Sequence, residues 1–184
     1  MAGWKSKRRV MQQYDLTADM YEERYREEQQ AKYKASLENV DVAGSIVLDV
    51  GCGTGLFFSQ VADQVRMVLG VDFSRKLLLK AKNQAKKFSN AFVLRADVDY
   101  LPFSEGFFDA VFAFTVLQNM PEPSETLNEL KRVAKPGGSV VVTGLKKAFP
   151  MEAFMNVLER TSMRVASFLD IEDLKCYVAV LTAQ

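Results

Sequence analysis

Val47-Leu-Asp-Val-Gly-Cys-Gly-Thr-Gly55 is the stretch of sequence that decides the fold. The apolar, β-branched run from 46 to 50 predicts a buried strand, and it turns abruptly into alternating glycines. Apolar residues at 56, 58, 61, 62 and 65 then recur at helical spacing. Glycine is needed where φ is positive or where a ligand touches the backbone, and the start of a helix offers unpaired N–H groups. The stretch therefore predicts a strand, a tight loop that holds a ligand, and a helix.

The spacing of these glycines separates the loop from other glycine-rich motifs. The glycines stand at 51, 53 and 55, so Leu56 occupies the place of the third glycine in a GxGxxG dinucleotide fingerprint. A GxxxxGK[ST] cradle for a nucleoside triphosphate is absent. The order of residues 48–55 resembles motif I of the class I, Rossmann-like S-adenosylmethionine-dependent methyltransferases. Within this class it is most similar to the methyltransferase type 11 family. The alternative for the stretch alone is a purely structural turn between strand and helix.

Two more acidic residues stand at predicted strand ends. Asp72 ends the run that starts at Met67, and Asp97 ends the run that starts at Phe92. Asp72 follows Gly55 by 17 residues, close to the roughly 20 at which an acid reaches the ribose hydroxyls in nucleotide-binding βαβ units. This spacing alone also suits NAD. Because the carboxyl ends of parallel strands meet at one edge of a sheet, the acids at 49, 72 and 97 are expected to line one crevice.

The resemblance implies roles for these positions in binding S-adenosylmethionine. The glycine loop would cradle the methionine and ribose, Asp72 would accept hydrogen bonds from the ribose, and Phe73 would lie beside the adenine. The turn 96–98 would recognise adenine, with Asp97 accepting a hydrogen bond from the exocyclic amine. The implied cofactor-binding residues are Asp49, Gly51, Cys52, Gly53, Gly55, Asp72, Phe73, Ala96, Asp97, Val98 and Thr115.

Composition sets limits on the class of protein. The chain has 184 residues, 48% of them hydrophobic, a net charge of +1 and no histidine. One compact domain is expected, with an N-terminal tail and helical cap over 1–40 and the methyltransferase domain over 41–184. No apolar run approaches the roughly 18 to 20 residues that span a bilayer, and the N-terminus lacks the apolar core of a signal peptide, so no membrane partner and a cytoplasmic location are expected. Without histidine a Ser-His-Asp site cannot be built, and no metal site is expected.

The order of the predicted elements gives the fold class. Strands and helices alternate after residue 45, which predicts an α/β, doubly wound, seven-stranded and mostly parallel sheet with an antiparallel last strand and an N-terminal helical extension. Further strands are predicted at 67–72, 92–97, 107–114, 139–145, 164–169 and 176–181. Helices are predicted at 74–87, 124–135 and 150–161, the last with Met151, Phe154, Val157 and Leu158 facing the core.

The segment ahead of the first strand is less clearly patterned. Residues 1–13 carry several basic residues and are best interpreted as a solvated tail, with contact to RNA as the alternative. Residues 14–40 predict one or two amphipathic helices. Tyr21, Tyr25 and Tyr33 are expected to face the core, although in the resembling family such a segment commonly lies over the cofactor cleft, so a tyrosine there would help to close the site.

The loop after the fourth strand decides the chemistry in the resembling family. Here it reads Thr115-Val-Leu-Gln-Asn-Met120, without the Asn-Pro-Pro-Tyr signature of amino-group methylation and without histidine near 118. Gln118 and Asn119 are the candidate catalytic residues, and they would orient the substrate by hydrogen bonds or merely cap the loop backbone. The expected reaction is an in-line methyl transfer that does not use a histidine base.

The methyl acceptor is the least determined property. The basic stretch 75–87 and the lack of insertions after strands four and five favour an RNA such as tRNA or rRNA, or an RNA-associated protein, although a solvated helix also accounts for the lysines. The alternatives are a small-molecule O- or C-methyltransferase and a non-catalytic cofactor-binding subunit. The apolar run Tyr100–Phe108, if exposed, would dock a small activator subunit of the kind that some RNA methyltransferases need.

Overall fold

The computed structural model describes the backbone of residues 2–184 and their side chains except at 2, 3, 5, 6, 13, 14 and 16–25. The side chains of Tyr21 and Tyr25, which were predicted to face the core or to close the site, lie outside the described residues. The described part contains a central sheet with helices on both of its faces.

The central sheet has seven strands in the order β3-β2-β1-β4-β5-β7-β6. Neighbouring strands from β3 to β5 pair in parallel, and β7 pairs antiparallel with both β5 and β6. The predicted sheet with an antiparallel last strand is thereby confirmed. The strands are β1 Ile46–Val50, β2 Met67–Asp72, β3 Ala91–Arg95, β4 Phe108–Ala113, β5 Ala134–Leu145, β6 Arg164–Leu169 and β7 Cys176–Thr182.

The strand order reverses between β1 and β4, and this reversal positions the site. Connections from β1 lead towards β3 on one side, whereas the chain after β3 crosses to β4 on the other. Open α/β sheets bind ligands in the crevice outside the carboxyl ends of the strands at such a point. The glycine loop follows β1 directly and therefore lies at the reversal.

Apolar side chains fill both faces of the sheet. Val47 and Leu48 are successive residues of β1 that belong to opposite core layers, and neither is exposed. The helices that cover these layers are α1 Ala2–Leu37, α2 Phe58–Val61, α3 Arg75–Ala85, α4 Pro123–Val133 and α5 Met151–Glu159, with a one-turn 3-10 helix at Leu117–Asn119. A strand that is buried on both faces explains the nearly continuous apolar run in its sequence.

The helix after the glycine loop is shorter than its apolar spacing predicts. A helix through residue 65 was expected, but α2 covers only Phe58–Val61. Asn90, just before β3, donates from Nδ2 to the carbonyl oxygens of Ala62 at 2.8 Å and Val65 at 2.9 Å. These two bonds satisfy carbonyl groups that a further helical turn would otherwise use.

Two other predicted details of the helices were wrong. α4 ends at Val133, ahead of the Pro136-Gly-Gly138 stop, because β5 already pairs with β4 at Ala134. The register then shifts, so that residues 135–138 bulge from the ladder. In α5 the side chain of Met151 is 44% exposed instead of facing the core, because it is the first residue of the helix.

The N-terminal segment forms one helix, α1, which begins at Ala2. Its C-terminal end is fixed in the core, where the ring of Tyr33 packs 5.0 Å from that of Phe57 and 4.8 Å from that of Phe114. Residues 2–13, which were predicted to belong to a solvated tail, are therefore helical. None of the helices in the described part of the chain combines the length and the apolar character needed to cross a bilayer.

Gly70 provides a test of how closely α2 packs on the sheet. A Cβ atom at this position of β2 would lie 2.5 Å from the Phe58 ring and 2.9 Å from Cys52 Sγ. Gly70→Ala is expected to lower the free energy of unfolding by about 1 to 3 kcal/mol through overpacking. Chemical denaturation of Gly70→Ala, Phe58→Leu and the double variant measures it. The smaller leucine side chain introduced by Phe58→Leu should recover part of the loss, and fully additive effects would contradict this packing.

Candidate functional site

Two cavities meet at the carboxyl edge of the sheet. The larger is a cleft of about 640 Å³ and the smaller is a cavity of about 290 Å³, and both volumes include the open mouth. They share Gly51, Gly53 and Phe114, so the glycine loop lies between them. The larger cleft is lined by Lys7, Val10, Gly51, Gly53, Asp72, Phe73, Leu77, Asp97, Val98, Phe114, Thr115, Val116, Asn119 and Met120. The smaller is lined by Gln29, Tyr33, Asp49, Gly51, Cys52, Gly53, Thr54, Leu56 and Phe114.

The glycine loop is tied tightly to its neighbours. The backbone N–H groups of Gly51 and Cys52 both donate to the carbonyl oxygen of Val71, at 2.8 and 3.0 Å. Gly51 has a φ of +68°, and a Cβ atom there would lie 2.6 Å from Val116 Cγ2. Glycine is thus required at 51 both by the left-handed backbone and by the close approach of the loop after β4.

Asp72 joins the glycine loop to α3. Its Oδ2 accepts a hydrogen bond from the Gly53 N–H at 3.0 Å, and its Oδ1 accepts one from the Ser74 N–H at 2.8 Å. The Ser74 hydroxyl in turn caps α3 by accepting from the Leu77 N–H, as the sequence predicted. Burial raises the pKa of Asp72, although the backbone N–H groups act in the opposite direction.

Asp49 is a buried acid beside Asp72. It lies at the end of β1, is 2% exposed and lines the smaller cavity. Burial, and to a lesser degree the charge of Asp72, raise the pKa of Asp49 to about 8. Asp49 is therefore mostly a neutral carboxylic acid at neutral pH, and it can donate a hydrogen bond as well as accept one.

The turn after β3 is bound by a residue of α1. Lys7 Nζ lies 2.6 Å from Asp97 Oδ1 and 2.5 Å from Asp99 Oδ2. Burial alone would lower the pKa of Lys7, but the hydrogen bonds and charges of the two carboxylates raise it. Lys7 is only 6% exposed, which corrects the predicted solvated tail, whereas Arg8 and Arg9 are exposed.

Thr115 is held in a left-handed conformation at the end of β4. Its φ is +62°, an unusual value for a β-branched residue, and its N–H donates to Thr143 Oγ1 at 2.7 Å. Gln118 Nε2 and Asn119 Nδ2 donate to the Thr115 carbonyl oxygen at 2.7 and 3.0 Å. The loop geometry is thus over-determined by three side chains, as strained functional loops commonly are.

These hydrogen bonds bear on the two candidate catalytic residues. Both amide side chains cap the loop backbone, which is the alternative that the sequence left open. Asn119 also lines the larger cleft, and Gln118 Oε1 is buried without a hydrogen-bond partner among the described residues. The orienting role of Gln118 and Asn119 stays a prediction.

Nine of the eleven predicted cofactor-binding residues line one or other cavity. The exceptions are Gly55 and Ala96. A Cβ atom on Gly55 would meet the Phe58 ring at 2.7 Å and the Ala81 Cα at 3.2 Å, so this glycine permits close packing of α2 and α3. Ala96 packs against the core and donates its N–H to the Asp72 carbonyl oxygen at 3.2 Å.

Sequence reasoning missed the polar residues that α1 brings to the site. Besides Lys7, Lys32 is 3% exposed, and its Nζ lies 3.2 Å from Thr115 Oγ1 and 3.5 Å from Glu28 Oε1. A glutamate and a lysine four residues apart on a helix are typical of a surface pair, so the sequence carried no signal for this burial. Thr54 was also missed; its buried Oγ1 has no partner among the described residues and borders the smaller cavity.

No cluster of three or more potential metal ligands occurs in the part of the chain that the structure describes.

Comparison with known proteins shows to which family this architecture belongs. The family model described as a methyltransferase domain matches residues 48–142, from β1 into β5. The chain belongs to this family. The predicted methyltransferase family and the predicted fold are thereby confirmed.

Curated relatives align with part of this chain. A demethylmenaquinone methyltransferase of Staphylococcus saprophyticus is 39% identical over 102 residues, which are 54% of this chain and 44% of the relative. A malonyl-[acyl-carrier protein] O-methyltransferase of Buchnera aphidicola is 36% identical over 132 residues, 70% of this chain and 51% of the relative. The chain thus spans about half the length of these relatives.

Solved structures of low sequence identity share the fold. Magnesium protoporphyrin IX methyltransferase of Synechocystis PCC 6803, solved with bound S-adenosylmethionine, superposes with a TM-score of 0.82 at 18% identity and covers 97% of both chains. A putative methyltransferase in complex with the Haloferax volcanii Trm112 methyltransferase activator has a TM-score of 0.79 at 19% identity, over 92% of this chain and 97% of that one.

The protonation of Asp49 gives a stability prediction with a definite sign. Its pKa in the folded protein is about 8, whereas an unfolded aspartate has a pKa of about 3.9, so the folded state holds a proton that the unfolded state loses. Between about pH 4 and pH 8 this residue should reduce the free energy of unfolding by about 1.4 kcal/mol per pH unit. Asp49→Asn, measured by urea denaturation from pH 5 to 8, should gain stability relative to the unmodified protein as pH rises. The exposed Asp63→Asn is the control, and parallel curves for Asp49→Asn would contradict the buried proton.

Proposed function

We propose that this chain transfers the methyl group of S-adenosylmethionine to an oxygen or carbon atom of a small organic molecule. The observation that carries the proposal is that α1 lies over the site. Lys7 and Val10 line the larger cleft, and Gln29 and Tyr33 line the smaller cavity. The sequence pattern favoured an open cleft and a large RNA acceptor. A cleft that is lined on one side by this helix is better suited to a small-molecule acceptor.

The relatives support the same direction. The two curated methyltransferases described above are named for demethylmenaquinone and malonyl-[acyl-carrier protein], and neither name refers to RNA. The RNA hypothesis was motivated by the basic residues of the stretch 75–87, which covers α3 and the two residues after it, and the exposed ones include Arg75, Lys76, Lys82, Lys86 and Lys87. They accompany buried positions such as Leu78 and Ala81 on the same helix, which is the arrangement of an ordinary solvated helix.

The residues around the two cavities fit the cofactor. Asp72 is preorganised by two backbone N–H groups and would accept the ribose hydroxyls. Asp97 binds Lys7 through Oδ1, so its other oxygen would accept the adenine amine. Thr54 Oγ1, which is buried without a partner among the described residues, and the carboxylic acid of Asp49 would serve the methionine end in the smaller cavity.

When bound, the cofactor supplies a methyl group on a sulfonium, which is electrophilic without a metal or a redox partner. The protein then has to align the acceptor and exclude water, and such positioning can account for roughly 7 to 11 kcal/mol of the barrier. The braced Thr115 loop, with Asn119 and Met120, forms the acceptor side of the larger cleft. Asp99 is engaged by Lys7 and by the Thr126 hydroxyl, so it is not placed to act as a general base. An acceptor that is already ionised suits a chain without histidine.

A small activator subunit remains part of the proposal. β3 is an edge strand, and Phe92 and Leu94 on it are 49% and 39% exposed. Of the predicted docking run, Tyr100 and Phe107 are 79% and 41% exposed, whereas Leu101 and Phe108 are buried. The docking surface would therefore consist of β3 with Tyr100, and not of the whole run. Exposed apolar side chains on an unpaired edge suit strand addition by a partner, and one structural neighbour was solved with the Trm112 methyltransferase activator. Turnover by the purified chain alone would show that no activator is required.

Methyl-labelled S-adenosylmethionine tests the acceptor class. The protein is incubated separately with lipid-soluble quinols, with organic acids free or bound to acyl carrier protein, and with total RNA. Label is expected in one of the first two fractions. Label that enters nuclease-sensitive material would overturn the small-molecule proposal in favour of RNA, and cofactor binding without transfer to any fraction would favour a non-catalytic or activator-dependent subunit.

Asp72→Asn tests the assignment of the cofactor cleft. The amide can no longer accept from both backbone N–H groups and the ribose, so the dissociation constant of S-adenosylhomocysteine is expected to rise at least about tenfold. Isothermal titration calorimetry measures it, with the exposed Asp63→Asn as the charge-matched control. Unchanged affinity in a variant that still melts cooperatively would place the cofactor elsewhere.

A further inference from the structure

We propose that residues 2–15 of α1 form a clasp over the larger cleft, latched by Lys7, and that the cofactor exchanges only when this clasp lifts. The proposal rests on the assignment of S-adenosylmethionine to that cleft. It gives Lys7 and Asp15 a role in holding the cofactor that goes beyond the chemistry of methyl transfer.

The latch is a nearly buried ion triad. The Lys7 side chain is 8% exposed, and those of Asp97 and Asp99 are each 20% exposed. The ammonium also lies 5.7 Å from the centroid of the Tyr100 ring. All three partners belong to the turn after β3, which carries the residues expected to recognise adenine. Ion pairs that are shielded from water are screened less by salt, and removing one partner leaves a buried charge unpaired, so loss of the Lys7 charge is expected to have a larger effect than loss of a surface charge.

A second attachment lies on the other side of the cleft. Asp15 Oδ1 accepts a hydrogen bond from the Ser74 hydroxyl at 2.5 Å and one from the Lys76 N–H at 3.3 Å. Ser74 is the N-cap of α3 and follows β2 closely. Lys7 and Asp15 are separated by about 12 Å along a helix, so the segment bridges the turns that follow β2 and β3.

The clasp covers the cleft without filling it. With Lys7 docked as part of its wall, the cleft still contains empty space, about 640 Å³ when its open mouth is counted. Lys7 and the Asp99 N–H both bind Asp97 through Oδ1, at 2.6 and 3.1 Å. Among the described residues these bonds use only Oδ1, so Asp97 Oδ2 would accept a hydrogen bond from the ligand. The proposal therefore requires that the ligand binds while Lys7 is docked and that the docked clasp slows its release.

The two ends of α1 are attached by different kinds of contact. At the C-terminal end Tyr33 and Ala35 are buried in the apolar core, and Lys32 is buried against Thr115. At residues 7 and 15 the attachments are ion pairs and hydrogen bonds to turns. Polar attachments of this kind open at lower free energy than apolar core packing, so the proposal requires that residues 2–15 detach first and that α1 bends between them and the fixed residues 28–37.

Substitution of the latch tests the proposal directly. Lys7→Met keeps the apolar stem and removes the charge, and Arg8→Met removes the same charge from an exposed neighbour. Stopped-flow release of S-adenosylhomocysteine is followed by the emission of Trp4, which is the single tryptophan of the chain and lies within the clasp. Lys7→Met is expected to release the ligand roughly tenfold faster or more, and Arg8→Met to change the rate less than about twofold. Asp99→Asn should also accelerate release, and adding it to Lys7→Met should give little further effect.

Hydrogen exchange of the unmodified protein provides a measurement that does not depend on a variant folding. Saturating S-adenosylhomocysteine should slow amide exchange in residues 51–55 and also in residues 2–15. Slowing at 51–55 alone, or an unchanged release rate in Lys7→Met, would overturn the clasp while leaving the cofactor site intact. No slowing at 51–55 would instead contradict the assigned cofactor site itself.

Discussion

The carboxylate of Asp72 is the interaction on which the site depends. It accepts one hydrogen bond from the glycine loop after β1 and another from the start of α3, and so fixes the distance between two elements that are far apart in sequence. Burying a carboxylate is unfavourable unless donors surround it, and here the donors are the backbone groups that must be ordered to form the site. Because the buried carboxylate of Asp72 needs these donors, the glycine loop adopts the conformation in which the Gly53 N–H points at it. For Asp49 the described residues supply no such donors, and burial together with the charge of Asp72 raises its pKa to about 8, so Asp49 keeps its proton.

The fold was predictable because its signals are local and mutually consistent. Met67–Asp72 and the Ser74 N-cap were recognised from apolar runs and capping chemistry that hold in almost any context. The errors occur where a distant side chain decides the outcome. The helix after the glycine loop ends early because Asn90 supplies hydrogen bonds from across the sheet, and β5 starts early because it finds its partner at Phe108. In both cases the residue that decides the boundary lies outside the segment, so the sequence of the segment itself does not predict it.

The site was predictable in part for the same reason. Residues at strand ends could be placed because the topology of parallel sheets brings such ends together. The contribution of α1 could not be placed, since a helix of polar composition does not reveal which of its charges will be buried. Lys7 resembled its exposed neighbours Arg8 and Arg9 in sequence, yet it is buried between the carboxylates of Asp97 and Asp99. This one contact changes the expected character of the site from an open groove to a covered cleft, and the proposed acceptor changes with it from RNA to a small molecule.

The protonated Asp49 has a practical consequence in a chain without histidine. The side chains that usually titrate near neutral pH are missing, and burial raises the pKa of both cysteine thiols. A buried carboxylic acid absorbs in the infrared apart from ionised carboxylates, so the carbonyl stretch of protonated Asp49 is expected to be distinct from the bands of the ionised acids. The protein thus carries an intrinsic, label-free probe in the wall of its smaller cavity, and difference spectra would report directly the polarity and charge of whatever enters it.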